Sequence, residues 1–317
     1  DNNVSETHAN TPGSNIFFDG RDKIGSTKAI TVTRAGWNTD IGTIVGGAIN
    51  LIDAGNSGKE YVIPVGTDSK HSGGGTSLFQ RTSLYIMAYE DNTLVTVNLV
   101  KADGSSNGTI TRTLQQGESW YIAGLGSGST VAGSGLSDAR AVINNGTKVT
   151  SDKAVGVSVL AGKSTSENRW FNLSPTDNWG SSYYAPVATI GGAASDIYFY
   201  NNNATSITIY WETASGTDSV TVAANSGGTF SMPGGTASSA AHFYTNNGDK
   251  FYAVASVDRT TSRDWSYTLV AEKTLTDRFV TAWAPGNSKN DGTINSSDKN
   301  GSPIWVTSTG DTQLYVD

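Results

Sequence analysis

The residues that could do chemistry in this 317-residue chain are scattered rather than gathered into motifs. The three histidines, His8, His71 and His242, form no zinc-binding pattern such as HExxH, and no P-loop occurs. Cysteine is absent, which excludes disulfides, thiolate metal sites and a cysteine nucleophile. We therefore predict that the chain is not an enzyme.

Four glutamates lie beside predicted strands and are the candidates for acid–base chemistry: Glu60, Glu90, Glu118 and Glu212. A glycosidase needs two carboxyl groups held about 5–10 Å apart. In an all-β sequence, spacing along the chain does not reveal such a pair. We therefore interpret these glutamates as solvated residues on the faces of sheets.

One loop suits calcium. Residues 286–301 are rich in Asn, Asp and Ser, whose side-chain oxygens are ligands that Ca²⁺ takes. The candidate ligands are Asp291, Asn295 and Asp298, although the alternating order of acidic residues in an EF-hand loop is missing. The alternative is an ordinary solvated loop, and elsewhere we expect no cofactor.

Aromatic side chains on a sheet face would give a different kind of site, a platform for sugar rings. The aromatic residues that open the predicted units, among them Trp179 and Tyr183, recur at the start of a strand in each unit, which favours core packing. Trp170 and Trp283 lie outside that pattern. They are therefore our candidates for binding surface glycans.

Charge and composition narrow the class of protein. The net charge is −7 with no run of Lys or Arg, so we expect neither nucleic acid nor an anionic membrane surface as a partner. No apolar run approaches the roughly 18 residues that span a bilayer, so we expect no membrane insertion. Only 15% of residues are charged and 37 are glycine, which is typical of short strands joined by tight turns. Together with the abundance of Asn, Ser and Thr, this favours an exported prokaryotic surface protein.

Strand-like alternation dominates the chain, and one hairpin phrase occurs three times. LYIMAYEDNTLVTVN (84–98), IYFYNNNATSITIY (197–210) and IWVTSTGDTQLYVD (304–317) each alternate apolar and polar residues around a polar corner. The corners combine Asp or Asn with Thr, and Asx side chains form turns by hydrogen-bonding their own backbone, so we interpret Asp91 and Asp311 as turn residues. We predict an all-β fold of repeated β-sandwich-like units with antiparallel hairpins.

The recurring phrases divide the chain into four parts, with an incomplete unit at both ends. Asp152-Lys153 before an apolar strand in the first unit has a counterpart in Asp22-Lys23 near the N-terminus. We predict the following parts: 1–50 with the closing half of a unit, 51–165 as a first full unit, 166–262 as a second, and 263–317 as the opening half of a third.

A half-unit leaves an unpaired strand edge, and such edges recruit strands. Three explanations of the two half-units stay open: the chain is a fragment of a longer repeat protein, its ends close on each other, or they complete neighbouring molecules. In the last case, strand addition between 304–317 and 17–37 would be head to tail and would build a filament.

Several phrases resemble the IgGFc-binding region, a β-rich module of vertebrate mucus proteins and of many large bacterial surface proteins. The resemblance covers about residues 56–260 well and implies an extracellular, non-enzymatic role in binding or scaffolding. It carries no antibody contact over to any residue of this chain. The phrases are Tyr61-Val62-Ile63-Pro64, Tyr85-Ile86-Met87-Ala88, Glu90-Asp91-Asn92-Thr93, Gly117, Thr150-Ser151-Asp152-Lys153-Ala154-Val155, Asn178-Trp179-Gly180 and Tyr184-Ala185-Pro186.

We therefore predict an extracellular structural or adhesive protein of a prokaryotic cell surface, self-assembling through its half-units. Its partners would be other copies of the chain or neighbouring repeats of a longer one. The alternative is a carbohydrate-binding module that uses exposed tryptophans.

Overall fold

The computed structural model describes the parts of the chain that form its sheets. Its strands are joined by turns, and three short 3-10 turns occur among the described residues, so the predicted all-β class is confirmed. Within the described ranges no helix is long and apolar enough to cross a membrane. The described residues are 26–28, 30, 32–36, 47–50, 52–67, 78–80, 82–124, 139–164, 167–187, 189, 194–233, 240–258, 265–279 and 305–315.

Ten strands make a small N-terminal sheet and a first β-sandwich. β1 pairs with β2, while β6-β5-β9-β3 and β8-β7-β4-β9-β10 form the two sheets of the sandwich. The strands are β1 Thr33–Gly36, β2 Gly47–Asn50, β3 Gly58–Val62, β4 Ser83–Ala88, β5 Thr93–Val100, β6 Ser106–Leu114, β7 Ser119–Gly124, β8 Ala139–Ala141, β9 Lys148–Ser164 and β10 Glu167–Asn172.

The long strand β9 belongs to both sheets because it bends at Asp152-Lys153. Its residues 148–151 pair with β5, and its residues 155–160 pair with β4. At the bend, the Asp152 carboxylate accepts the Leu94 N–H at 2.8 Å, and the Lys153 ammonium donates to the Asp91 carbonyl. The recurring Asp-Lys phrase and the polar hairpin corner therefore hold each other in place.

A second sandwich repeats this pairing, except that no described strand corresponds to β8. Its sheets are β14-β13-β16-β11 and β15-β12-β17-β18, and β16 and β17 occupy the places of the two halves of β9. At the corresponding bend, Thr245 Oγ1 donates to the Asp249 carbonyl at 2.8 Å, as Ser151 Oγ donates to the Lys153 carbonyl at 2.6 Å. The strands are β11 Ser182–Ala185, β12 Ala194–Asn201, β13 Ile207–Thr213, β14 Gly216–Val222, β15 Ser226–Ser231, β16 Ala241–Tyr244, β17 Tyr252–Asp258 and β18 Trp265–Thr268.

The last two strands of each sandwich form what we call the closing pair: the second half of β9 with β10, and β17 with β18. The predicted unit boundaries after residues 165 and 262 separate the strands of each closing pair. A 3-10 turn begins four residues after the last paired residue, at Thr176 in the first sandwich and at Glu272 in the second.

The N-terminal sheet has the same arrangement as the closing pairs. Thr33 lies opposite Asn50, as Ser158 lies opposite Asn172. A 3-10 turn follows four residues later, at Ala54–Asn56. The β1–β2 sheet is thus a third copy of the closing pair.

One buried tyrosine fixes the opening strand of each sandwich to its bend. The Tyr61 hydroxyl accepts the Gly58 N–H at 3.0 Å and donates to the Val155 carbonyl at 2.6 Å. The Tyr183 hydroxyl does the same between Gly180 and Phe251, at 2.8 and 2.6 Å. Burial raises the pKa of Tyr61 to about 12, so the hydroxyl stays protonated and able to donate at neutral pH.

The aromatic residues that open the units alternate between core and surface. Trp179 and Tyr183 are buried, as expected, whereas Tyr184 is half-buried and Trp265 is exposed. The expected core role is therefore wrong for Trp265. Successive side chains of a strand point to opposite faces, so only every second aromatic residue can reach the core.

The two sandwiches share a buried interface. Trp179 stacks on Tyr252 with ring centroids 5.0 Å apart, and the two residues belong to one apolar cluster with core residues of the first sandwich. Arg169 of β10 is fully buried and donates through Nε to Ser256 Oγ of β17 at 2.9 Å. This continuous packing fixes one sandwich against the other.

Removing the bridging hydroxyl should destabilise each sandwich. We expect Tyr61→Phe and Tyr183→Phe each to lower the free energy of unfolding by about 1–3 kcal/mol, because a backbone N–H and a buried carbonyl lose their partner. Denaturant titration followed by circular dichroism measures the change. Tyr315→Phe, at an exposed position, is the matched control and should change stability by less than about 0.5 kcal/mol. Equal effects at all three positions would contradict the bridging role.

Candidate functional site

The first part of the candidate site is the open edge of β1. In the two sandwiches, the inner strand of the closing pair has a strand on both sides, β4 beside β9 and β12 beside β17. β1 pairs with β2 on one side, and no strand among the described residues pairs with its other side. Its backbone N–H and carbonyl groups on that side can therefore accept a further strand.

The second part is the segment 305–315, which the sequence predicts to be a paired hairpin. That prediction is wrong for the single chain, because these residues form no strand and are mostly exposed. Trp305, Val306, Leu314 and Tyr315 are large exposed hydrophobic residues. A two-stranded hairpin alone is marginally stable in water, and no described strand pairs with this segment to support it.

The third part is Phe279, which occupies a position that is core in both sandwiches. It follows the last residue of its 3-10 turn by five residues, as Tyr61 and Tyr183 follow theirs. Tyr61 and Tyr183 are each 1% exposed, whereas Phe279 is 77% exposed. Val306 likewise matches Ile86 in the hairpin phrase, and Ile86 is fully buried. The third unit thus exposes the residues that would form its core.

Of the residues proposed for glycans and calcium, only Trp170 lies within the described part of the chain. Trp170 is half-buried on β10, opposite Leu160. Trp283 lies outside the described residues, as do the calcium candidates Asp291, Asn295 and Asp298. In the described part of the chain, no three His, Asp or Glu side chains are grouped so that they could hold a metal ion. The glycan and calcium sites stay predictions.

The structure assembles a row of stacked rings that the sequence analysis missed. Tyr184, His242, Tyr244 and Tyr210 stand side by side on β11, β16 and β13, with successive centroids 4.3, 4.8 and 5.7 Å apart. Knowledge of the strand register would have predicted this row, because Tyr184 lies opposite His242 and Tyr210 lies opposite Tyr244. Because the rings stack face to face, the row stabilises the sheet. A sugar would meet mainly the edges of these rings and not their faces.

His242 also has the side-chain neighbours of a catalytic triad, but not its surroundings. Ser182 Oγ lies 2.8 Å from His242 Nε2, and Glu212 Oε2 lies 3.7 Å from His242 Nδ1. Glu212 is exposed and accepts the Tyr244 hydroxyl at 3.0 Å. β16 is paired on both sides, so its N–H groups are engaged in the sheet and form no oxyanion hole. The N–H groups of β16 are therefore not free to stabilise an oxyanion beside Ser182.

A cleft of about 400 Å³ lies between the sandwiches. Phe79 and Tyr198 line it in an edge-to-face contact, with Gly227 and Gly228 beside them. No charged side chain lines the described part of the cleft. The described lining therefore holds no acid–base pair.

Comparison with known proteins places the chain in a family. The family described as IgGFc binding protein matches residues 48–316, which include both sandwiches, Phe279 and the exposed segment. No curated protein and no solved structure matches the chain. The family suggested by the β-turn phrases is thereby confirmed, and the chain belongs to the IgGFc-binding protein family.

Proposed function

We propose that the chain is an extracellular, non-enzymatic protein with a structural or adhesive role at a prokaryotic cell surface. Its molecules join head to tail when the segment 304–317 of one copy completes the edge offered by 17–37 of another. The observation that carries this proposal is the repeated closing pair. Two copies of the pair have a third strand beside them, and β1–β2 has none among the described residues.

The family supports the extracellular location in this proposal more than it supports a particular binding partner. The description of the family refers to binding of the IgG Fc region, and the resemblance implies an extracellular role. No described residue of this chain can be matched to an antibody contact. We therefore extend to this chain only the binding of a protein partner, and we propose that the partner is a second copy.

The two sandwiches define the register that complementation would use. Tyr85 of β4 lies opposite Ser158, and Tyr198 of β12 lies opposite Val254. In the third closing pair, β1–β2, Thr33 holds the position that Ser158 holds in the first. In the hairpin phrase, Trp305 matches Tyr85. Trp305 should therefore lie opposite Thr33 of the next molecule.

The energy of complementation comes from ladder hydrogen bonds and from apolar burial. Each large apolar side chain that becomes buried contributes about 1.5–3 kcal/mol, and Phe279, Val306 and Tyr315 are all exposed in the single chain. Each added hydrogen bond contributes about 0.5–1.5 kcal/mol net. These gains oppose an association cost of about 4–15 kcal/mol, which is why both the strand and its core residues are needed.

A disulfide at the expected register tests the proposal. In Thr33→Cys/Trp305→Cys, the two thiols are the only ones in the chain. Opposed Cα atoms in an antiparallel pair are about 4.5–5.5 Å apart, within the roughly 4.4–6.8 Å that a disulfide spans. Oxidation should therefore give a ladder of covalent oligomers on a non-reducing gel, and a mixture of the two single variants should give dimers only.

Thr33→Cys/Leu314→Cys is the out-of-register control and should form few cross-links. Cross-linked monomers alone would mean that the ends close within one molecule, which contradicts head-to-tail assembly. Cross-linking no better than in the control would contradict complementation altogether.

A substitution at Phe279 distinguishes the stability of one molecule from the stability of the assembly. Phe279→Ser should leave unfolding of the dilute monomer unchanged within about 0.5 kcal/mol and should weaken oligomer formation in sedimentation experiments. Tyr183→Ser, at the equivalent buried position, should instead destabilise the monomer by about 3–5 kcal/mol. If both changes destabilise the monomer equally, the third unit already closes within one chain and the proposal is wrong.

A further inference from the structure

We infer that Asn247 is a site of spontaneous covalent modification, at which the side-chain amide is lost as ammonia and an isoaspartate or an aspartate takes the place of the asparagine. The modification is a reaction of the chain with water and needs no partner protein. The inference is therefore independent of the proposed head-to-tail assembly, and either can fail without the other.

The reaction uses the backbone nitrogen of the residue after the asparagine. This nitrogen attacks the side-chain Cγ and closes a five-membered succinimide ring. The bond from Cγ to Nδ2 breaks, and Nδ2 leaves as ammonia with the proton of the attacking N–H. Water then opens the ring at either of its two carbonyls, which gives aspartate or isoaspartate. Glycine in the following position favours the attack, because it has no Cβ to hinder the nitrogen or to restrict the backbone.

Asparagine followed by glycine occurs three times in the described part of the chain, so the dipeptide alone cannot rank the sites. Any difference in rate between the three must come from the structure around each pair. A fourth pair, Asn300-Gly301, lies outside the described residues. The three described pairs are Asn107-Gly108, Asn145-Gly146 and Asn247-Gly248.

The side chain of Asn247 is held over the nitrogen that would attack it. Asn247 is exposed at the tip of the bend between β16 and β17. The Asp249 N–H faces Asn247 Oδ1 at 3.4 Å, which is the arrangement of an Asx turn and folds the side chain back over the peptide unit of Gly248. Asn247 Nδ2 donates to the Asp249 carboxylate at 2.6 Å. The amide is thus fixed from both of its ends with Cγ beside the Gly248 nitrogen.

The Gly248 nitrogen is not used by the fold. Gly248 lies outside both strands of the bend, and its N–H donates no backbone hydrogen bond among the described residues. Its φ of +80° is one that glycine adopts without strain. A Cβ built on Gly248 would have no neighbouring atom within 4 Å. The nitrogen is therefore available for the attack, and water can reach the ring that forms.

Asn145 has the same following residue in the opposite environment. Gly146 is buried, and its N–H donates to the Ile63 carbonyl at 2.8 Å. The Tyr200 hydroxyl lies 2.8 Å from the place where a Cβ of Gly146 would stand. Attack on Asn145 therefore requires this part of the sandwich to open first.

Asn107 combines exposure with a nitrogen that is partly engaged. It lies in β6, and the Gly108 N–H donates to Ser106 Oγ at 3.3 Å. In the described part of the chain no hydrogen bond holds the Asn107 side chain over that nitrogen. Asn107 should therefore react more slowly than Asn247 and faster than Asn145.

The product acts on the bend of the second sandwich. A carboxylate at position 247 cannot donate to Asp249, so the hydrogen bond is replaced by two like charges at close range. Isoaspartate also adds a methylene group to the main chain. The Asp249 carbonyl accepts the Thr245 hydroxyl at 2.8 Å, the hydrogen bond that shapes this bend. Modification should therefore destabilise the second sandwich.

Peptide mapping of the full chain tests the inference after incubation in neutral buffer made with water that carries a heavy oxygen isotope. Opening of the succinimide takes one oxygen from water, so each modified peptide is labelled, and fragmentation locates the site. Label at Asn247 should accumulate at least about tenfold faster than at Asn145, which reacts only on local opening, with Asn107 between them. Asn247→Ser should remove the label from position 247 and leave the other two sites unchanged.

The same incubation in denaturant separates structure from sequence, because the rates at the three sites should converge once the chain is unfolded. A folded chain that is labelled at Asn107 or Asn145 as fast as at Asn247 overturns the inference. So does a rank order that persists in denaturant, since the difference then comes from residues that are neighbours in sequence.

Asn247→Asp, which makes one of the two products directly, tests the effect on the bend. It should lower the denaturant concentration at the midpoint of unfolding, and Asn107→Asp, the matched change at an exposed strand position, should leave the midpoint unchanged. Equal midpoints for both variants and the unchanged chain would overturn the destabilising effect.

Discussion

Each sandwich depends on one strand that changes sheets. The bend in β9 places Lys148 to Ser151 in one sheet and the rest of the strand in the other, so a single segment ties both layers together. A buried tyrosine hydroxyl holds the residue after the bend, and the Asp152 carboxylate holds the hairpin corner. Both sheets contain part of this strand. In the sheet that holds the closing pair, β4 pairs with the inner strand of the pair, so the sandwich is complete only when both are present.

This constraint links fold to function. The closing pair comes last in each sandwich, and the strand that pairs with it comes early. Under the proposed assembly, β1–β2 of one molecule therefore receives its third strand from the segment 304–317 of another. Packing between units adds rigidity, since the buried Arg169 and the Trp179–Tyr252 stack fix neighbouring sandwiches. Under the proposed assembly, a row of units joined in this way would form a rigid structural or adhesive element.

Much of the fold could be predicted because its turns carry distinctive residues. Alternation around corners such as Glu90 to Thr93 gave the strands of both sandwiches, and the recurring Asp152-Lys153 phrase marked a bend that local hydrogen bonds explain. These features depend on neighbours in sequence or on one partner strand. Pattern reasoning is sufficient for such features.

Other features depend on contacts that no local pattern encodes. The segment 305–315 has the alternation of a strand but pairs with no strand in the described part of the chain, so the prediction of a hairpin was wrong for the single chain. Tyr200 and Tyr252 read as outward-facing residues, and only the packing of one sandwich on the next buries them. The stacked row through His242 required the register between strands far apart in sequence.

The molar mass of the purified chain as a function of concentration tests the central claim most directly. Light scattering on the full chain should give a mass that rises with concentration above the 33.1 kDa of one molecule. A variant that lacks residues 1–37 should stay monomeric, because it has lost the edge that accepts the strand. A constant mass of one molecule for the full chain at every concentration would contradict head-to-tail assembly.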